Sequence, residues 1–262
     1  MKQLFIFIIF SIALVSCNNN ANTQEITNRG AYGINNTVKS FNITPISHAS
    51  MILEWDGEII YIDPVGGAAA FENQPEPDLV IITDIHGDHL SIETLEAVMQ
   101  PNTYLMTPQA VADKIPEKLS HKARILANGE RTNLRYLEDF SFEAIPMYNL
   151  REEALKFHAK GRGNGYIIEK DEKRVYISGD TEDIPEMRSL KNIDVAFVCM
   201  NLPYTMTVES AASAVLDFKP KTVYPYHYRG TNGKSDVAKF KALVNDGNSS
   251  IEIIQLDWYP TK

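Results

Sequence analysis

The sequence predicts an α+β protein, a four-layer αββα sandwich in which two sheets pack face to face and helices cover their outer sides. Three observations carry this expectation. Segments rich in Ile, Val and Tyr recur from residue 41 to residue 256, strands joined as hairpins dominate the first half, and strand–helix alternation returns only late in the chain. A doubly wound parallel sheet would alternate strand and helix throughout.

The chain has 262 residues, with 25 Lys and Arg against 34 Asp and Glu, a net charge of −9, and 44% hydrophobic residues. Disorder, a collagen-like chain and a polytopic membrane protein are excluded by this balance, and the length allows one large core. The acidic surplus argues against a nucleic-acid partner, which would require a basic face.

Taken in order, the first segment is Met1, Lys2 and Gln3, then an apolar run over residues 4–15, then Ser16 and Cys17. A positive start, a short apolar middle and small residues before a processing point describe an export signal over residues 1–16. Leu14-Val15-Ser16-Cys17 resembles the bacterial lipobox, which implies lipidation of Cys17 and a membrane-anchored lipoprotein on the periplasmic or cell-surface side. A plain signal peptide or an uncleaved anchor is the alternative. Residues 17–40 read as a flexible tether and residues 41–262 as the folded domain. With Cys17 acylated, Cys199 has no disulfide partner and reads as a buried strand residue.

Strands are expected at 41–46, 51–55, 58–62, 79–83, 124–127, 140–145, 165–169, 174–178, 195–200, 222–226 and 251–256. Asp56-Gly57 is a strong two-residue hairpin signal, and 170–173 reads as a second hairpin turn. Helices are expected at 92–99 behind a Ser91 cap, 108–114, 184–190, 208–218 and 235–245.

The chemistry is concentrated where the apolar run 79–82 ends in Thr83-Asp84-Ile85-His86-Gly87-Asp88-His89. Four potential ligands, Asp84, His86, Asp88 and His89, arrive within six positions at the rim of a sheet, and Gly87 lets the backbone turn tightly between them. This segment resembles the Thr-His-x-His-x-Asp-His signature of the metallo-β-lactamase superfamily, with Asp84 standing where the first His is usual. Tyr61-Ile62-Asp63-Pro64, Ser178-Gly179-Asp180-Thr181 and Tyr226-His227 fall in the family's order, and Ser47-His48-Ala49-Ser50 is similar to its early Gly-His-Ala. The likeness is greatest to the branch holding the ascorbate phosphate lactonases and the N-acyl phosphatidylethanolamine phospholipases.

The resemblance implies the αββα sandwich and one or two divalent metal ions, zinc, manganese or iron. One site would use Asp84 and His86, the other Asp88, His89 and His227, and Asp180 would bridge them. The family's remaining His has no match, and Asn149 occupies about that place. Because Asp84 and Asn149 would replace imidazoles, that site is richer in oxygen donors and suits Mn²⁺, Fe²⁺ or Mg²⁺.

Each residue also has a structural reading. His227 is a strand-end histidine, Asp180 sits in a Gly-Asp pair suited to a turn, and His48 is a hydrogen-bonding neighbour more than a ligand. His121 reads as solvated. His158 lies in a loop with three glycines and three basic residues that could close over the site and grip an anion, or could be a surface hairpin. Tyr204 follows an apolar strand and is a candidate for the same cleft; Tyr148, Tyr204 and Tyr226 are candidate oxyanion donors.

The expected function is a metal-dependent hydrolase with Asp88 and Asp180 as catalytic residues. It would act through a metal-bound hydroxide on a small-molecule ester, lactone, amide or phosphodiester. The alternative is a non-catalytic metal- or ligand-binding lipoprotein on the same fold. A di-iron redox enzyme is a third reading, and no flavin or rubredoxin-like segment accompanies the domain. Oligomeric state is not legible.

Overall fold

Asp56 and Gly57 adopt φ values of 53° and 90°, the left-handed pair that a two-residue hairpin requires, and Trp55 faces Glu58 across the turn. In the computed structural model, which describes residues 40–260, this turn joins β2 (Ser50–Trp55) to β3 (Glu58–Ile62), and β1 (Phe41–Ser47) pairs antiparallel with β2. The expected signal, Cys17 and all but the last residue of the tether lie outside the described residues. Three parallel strands follow, β4 (Leu79–Ile81), β5 (Tyr104–Thr107) and β6 (Ala123–Ile125), completing a six-stranded sheet in the order β1 to β6. Parallel neighbours need crossovers. Those after β4 are supplied by α1 (Ile92–Val98), and by α2 (Gln109–Ala112) with α3 (Glu117–Ser120).

The period of two along these strands decides which layer each residue joins. Met51, Leu53, Ile60, Ile62, Leu79, Ile81 and Met106 enter the core shared with the second sheet. Their alternates Ile52, Ile59, Tyr61, Val80, Ile82 and Leu105 pack with Leu95, Val98, Val111 and Leu119 of the helices. A strand buried on both faces reads as a continuous apolar run, which is why 79–82 shows no alternation.

The second sheet holds β7 (Arg131–Leu134), β8 (Leu137–Met147), β9 (Gly163–Lys170), β10 (Lys173–Ile177), β11 (Val195–Val198) and β12 (Thr222–Pro225). Beyond the small ribbon of β13 (Arg229–Gly230) and β14 (Gly233–Lys234) lies β15 (Glu252–Ile253), and the order is β15-β12-β11-β10-β9-β8-β7. Phe140, Phe142, Ala144, Tyr166 and Ile168 meet the first sheet, and α4 (Pro185–Arg188), α5 (Val208–Phe218) and α6 (Val237–Gly247) supply Met187, Ala211, Val215, Phe218, Phe240 and Val244. This is the expected α+β sandwich. At about 1.5–3 kcal/mol for each large apolar side chain, such a core can offset the cost of burying charged groups at its rim.

Four elements depart from expectation. β5 is a four-residue fully flanked parallel strand without periodicity, and β7 is the polar edge sequence Arg-Thr-Asn-Leu with alternate residues exposed. The ribbon β13–β14 and the single-turn α3 are too short to leave a pattern. Conversely, the strand expected at 251–256 shrinks to two residues, and those at 79–83 and 195–200 stop at Ile81 and Val198, their last residues being released to the rim.

Candidate metal centre

Every candidate ligand leaves the end of a strand. After β4 the chain stays buried through Asp84, held by Asn164 N–H donating to Thr83 O at 3.0 Å. It then turns on itself, with the N–H groups of His89 and Leu90 donating to His86 O at 3.0 and 2.8 Å, before Ser91 caps α1 by accepting from Thr94 N–H. Just past the end of β10, Gly179 at φ 61° swings Asp180 inward, and the chain leaving β12 delivers His227 at φ 45°. The loop after β8 returns His158, its carbonyl accepting from Asn149 N–H at 3.0 Å.

Two clusters result, Asp88–His89–Asp180–His227 and Asp84–His86–His158, each with its ligand atoms within 4.8 Å of one another. In the first, His89 Nε2 lies 3.2 Å from His227 Nε2 and 3.4 Å from Asp180 Oδ2. His227 Nε2 is 3.0 Å from Asp180 Oδ1 and 3.5 Å from Asp88 Oδ2. Asp180 also faces His158 Nε2 at 3.2 Å, so its carboxylate stands between the clusters.

The surroundings aim these atoms inward. Asp63, fully buried, accepts from Thr83 N–H at 2.7 Å, from Thr83 Oγ1–H at 2.6 Å, and from His89 Nδ1–H at 2.8 Å, which turns the His89 Nε2 lone pair toward the cluster. His227 Nδ1 is 2.8 Å from His48 Nδ1, itself 2.8 Å from the Tyr259 hydroxyl. Burial, with His227 beside it, pushes the His48 imidazole down to about 3, so it is neutral and serves as an acceptor. Burial alone would lower His89, yet the Asp180 and Asp63 carboxylates outweigh it and raise its pKa well above the usual value. Burial would likewise raise Asp180, and His227 and His89 instead hold it well below the carboxylate range. The site is a buried donor set that recruits a positive charge.

A divalent ion fits the first cluster. Donors on a tetrahedral zinc with bonds of about 2.0–2.1 Å lie roughly 3.3–3.4 Å apart, close to the separations here. One buried atom of this cluster, Asp180 Oδ1, has no hydrogen-bond partner and is left for such an ion. The second cluster does not fit a further ion. His86 Nδ1 already contacts Asp84 Oδ2 at 2.6 Å, and Arg162 donates to both Asp84 oxygens, from Nε to Oδ1 at 3.1 Å and from Nη2 to Oδ2 at 2.9 Å.

Of the expected residues, Asp84, His86, Asp88, His89, Asp180 and His227 converge, and His158 joins them. Asn149 does not. Its amide donates to Ala154 O and Tyr204 O at 2.9 and 2.7 Å, and its Oδ1 lies 3.4 Å from His158 Nδ1, so it positions that ring. The Tyr204 hydroxyl pairs with Thr231 Oγ1 at 2.8 Å and its ring packs on Phe157, making it a wall of the cleft. Tyr148 is tied to Glu186 and the fully buried Tyr226 accepts from Gly179 N–H, so neither is placed as an oxyanion donor. His121 is exposed, as expected. Sequence reasoning gave no role to Asp63, Arg229 or Tyr259, and it placed Arg162 only among the basic residues of the His158 loop that could grip an anion. Only Asp63, at the end of an apolar strand, left a local signal.

A cavity of about 480 Å³ opens beside the centre, lined by His48, His86, Asp88, Tyr204 and Arg229 among others. Arg229 lies over the Tyr259 ring, 4.8 Å from its centroid, and no carboxylate pairs with it among the described residues.

Residues 42–227 match the β-lactamase superfamily domain, and the chain belongs to that superfamily. A UPF0173 metal-dependent hydrolase of Thermococcus kodakarensis is 28% identical over 219 residues, spanning 80% of this chain and 94% of its own. A crystal structure named as a metal-dependent hydrolase from Parabacteroides distasonis is 37% identical, covers 84% of this chain and 94% of its own, and superposes with a TM-score of 0.75. Igni18, a metallo hydrolase of Ignicoccus hospitalis, is 23% identical over 82% of this chain with a TM-score of 0.69, a likeness of fold.

Proposed function

We propose that the chain hydrolyses a small ester, lactone, amide or phosphodiester at a divalent ion held by Asp88, His89, Asp180 and His227. The carrying observation is the convergence of these four donors from three separate strand ends, lone pairs inward, beside an open cavity. The chain is a metal-dependent hydrolase of the β-lactamase superfamily. Zinc, manganese and iron all suit the nitrogen and oxygen donors. When bound, the ion lowers the pKa of a coordinated water to near neutrality and polarises the electrophile.

The protein's own groups do the rest. Asp88 and Asp180 are the two donors of the cluster that line the cavity, and Asp88, its side chain 37% exposed against 3% for Asp180, is the one open to water, so it accepts the proton of the attacking water and orients it. Asp180, buried between His89, His227 and His158, fixes the imidazoles and stays ionised. Phe157 and Tyr204 form an apolar wall, and the guanidinium of Arg229 suits a carboxylate or phosphate on the substrate. This supports the lactonase and phosphodiesterase branch as the substrate class. The test is turnover of the metal-loaded chain on lactone, ester, amide and phosphodiester panels, with loss on chelation and recovery on metal addition. Metal bound without turnover on any panel would favour the binding-lipoprotein reading.

Export and anchoring belong to the same proposal and rest on Leu14-Val15-Ser16-Cys17. Cys17→Ala is expected to leave an unprocessed or soluble form and to move the protein out of the detergent phase on partitioning. Unchanged partitioning would remove the lipid anchor from the account.

A further inference from the structure

The second cluster is already supplied with a cation. Asp84 is completely buried and receives a two-pronged guanidinium from Arg162, the geometry in which arginine grips a carboxylate most strongly. The same Nη2 lies 3.5 Å from His86 Nε2 and donates to Phe157 O, so the guanidinium touches two of the three donors of the cluster. His86 Nδ1 is engaged on Asp84, leaving His158 Nε2, which faces Asp180, as the one unbonded donor.

The backbone around Arg162 is built for this contact. Gly161 takes φ +84° to reverse the chain, and at Gly163 a Cβ would collide with Met147 Cε and meet Thr83 O at 3.0 Å and Asp84 Oδ1 at 3.3 Å. Gly163 therefore lets the loop lie directly on the end of β4. Asn128 Nδ2 fixes it there by donating to Gly163 O at 2.9 Å and Asn164 Oδ1 at 2.7 Å.

We propose that Arg162 replaces a second metal ion. The chain carries a single divalent ion, and the guanidinium paired with Asp84 is the fixed positive charge of the other half of the centre. The inference rests on the reading of Asp88, His89, Asp180 and His227 as a metal site. Its physical basis is that a divalent ion at the second cluster would have to share the Asp84 carboxylate with a guanidinium hydrogen-bonded to both of its oxygens. The aspartate at position 84 and the arginine at position 162 form a unit, the first supplying the charge that the second neutralises.

The test is metal stoichiometry of the full chain after equilibration with excess zinc or cobalt and removal of free metal, read by elemental analysis and by the cobalt absorption spectrum. The wild-type chain is expected to hold one ion. Arg162→Met, which keeps the stem and removes the charge, is expected to hold two, with a melting temperature lowered in chelator and regained on metal addition, since its Asp84 is otherwise a buried carboxylate that has lost its guanidinium and keeps only His86 within hydrogen-bond distance. Should that variant not fold, Asp84→His combined with Arg162→Met removes the carboxylate and is expected to hold two. Two ions in the wild-type chain, or one in every folded variant, overturns the substitution by Arg162 while leaving the hydrolase reading intact. No ion in the wild-type chain defeats the metal site itself.

Discussion

Asp88→Asn leaves the fold intact and lowers turnover by roughly two to four orders of magnitude, the range a positioned general base contributes. The amide has the shape of the carboxylate but lacks its charge and basicity, so it neither accepts a proton from the attacking water nor balances the ion beside it. Stability is expected to change little, because the side chain is 37% exposed and its nearest partners in the centre, His227 Nε2 and His48 Nε2, lie 3.5 and 3.8 Å away. His121→Ala is the control: that ring is 74% exposed, at the C-terminal end of α3. The measurement is turnover per folded, metal-loaded molecule with a melting curve alongside. Equal turnover in the two variants would show that Asp88 is not the base and would leave the cluster a binding site.

How much of this centre the sequence discloses follows from how local each contact is. Asp84, His86, Asp88 and His89 are legible because one strand end, one tight turn and one helix start bring them together without help from the rest of the chain. Asp180 and His227 are separated from them by whole strands and become legible only through the order of motifs that the chain shares with its superfamily. The residue between them exposes the limit. Asn149 stands nearest the strand end, and sequence position favours it, yet the loop folds back so that His158 enters the cluster and Asn149 is left to hold its ring. The Arg162–Asp84 pair spans 78 positions, and nothing local announces it. The layers behave similarly: hairpins with Asp-Gly turns and long apolar runs are readable, whereas β5 and β7 exist because neighbours on both sides, or on one edge, pair with them.

Asp63 shows how a residue outside the ligand set can control it, and its replacement is expected to act on stability and on metal affinity together. The carboxylate is fully buried and accepts from Thr83 N–H, Thr83 Oγ1–H and His89 Nδ1–H, at 2.7, 2.6 and 2.8 Å. Its own backbone is left-handed, at φ 44°, a conformation that Asp and Asn tolerate and Ala resists. Asp63→Ala therefore strains the backbone, strands a buried N–H and frees the His89 ring; breaking such a buried network costs about 3–5 kcal/mol. Asp63→Asn separates the effects. It keeps the backbone conformation and an acceptor for Thr83 N–H, but the amide no longer presents a charged acceptor to hold His89 in the tautomer whose Nε2 faces the cluster. That variant is expected to fold with a modest loss of melting temperature and to bind zinc about 10–100-fold more weakly, the usual consequence of losing the partner behind a ligating histidine. Zinc dissociation constants by competition with a chromophoric chelator, measured beside melting curves in chelator, distinguish the two contributions. An Asp63→Asn chain that melts early yet binds zinc as tightly as wild type would make Asp63 a strut for the β3 and β4 strand ends, with no hold over the metal.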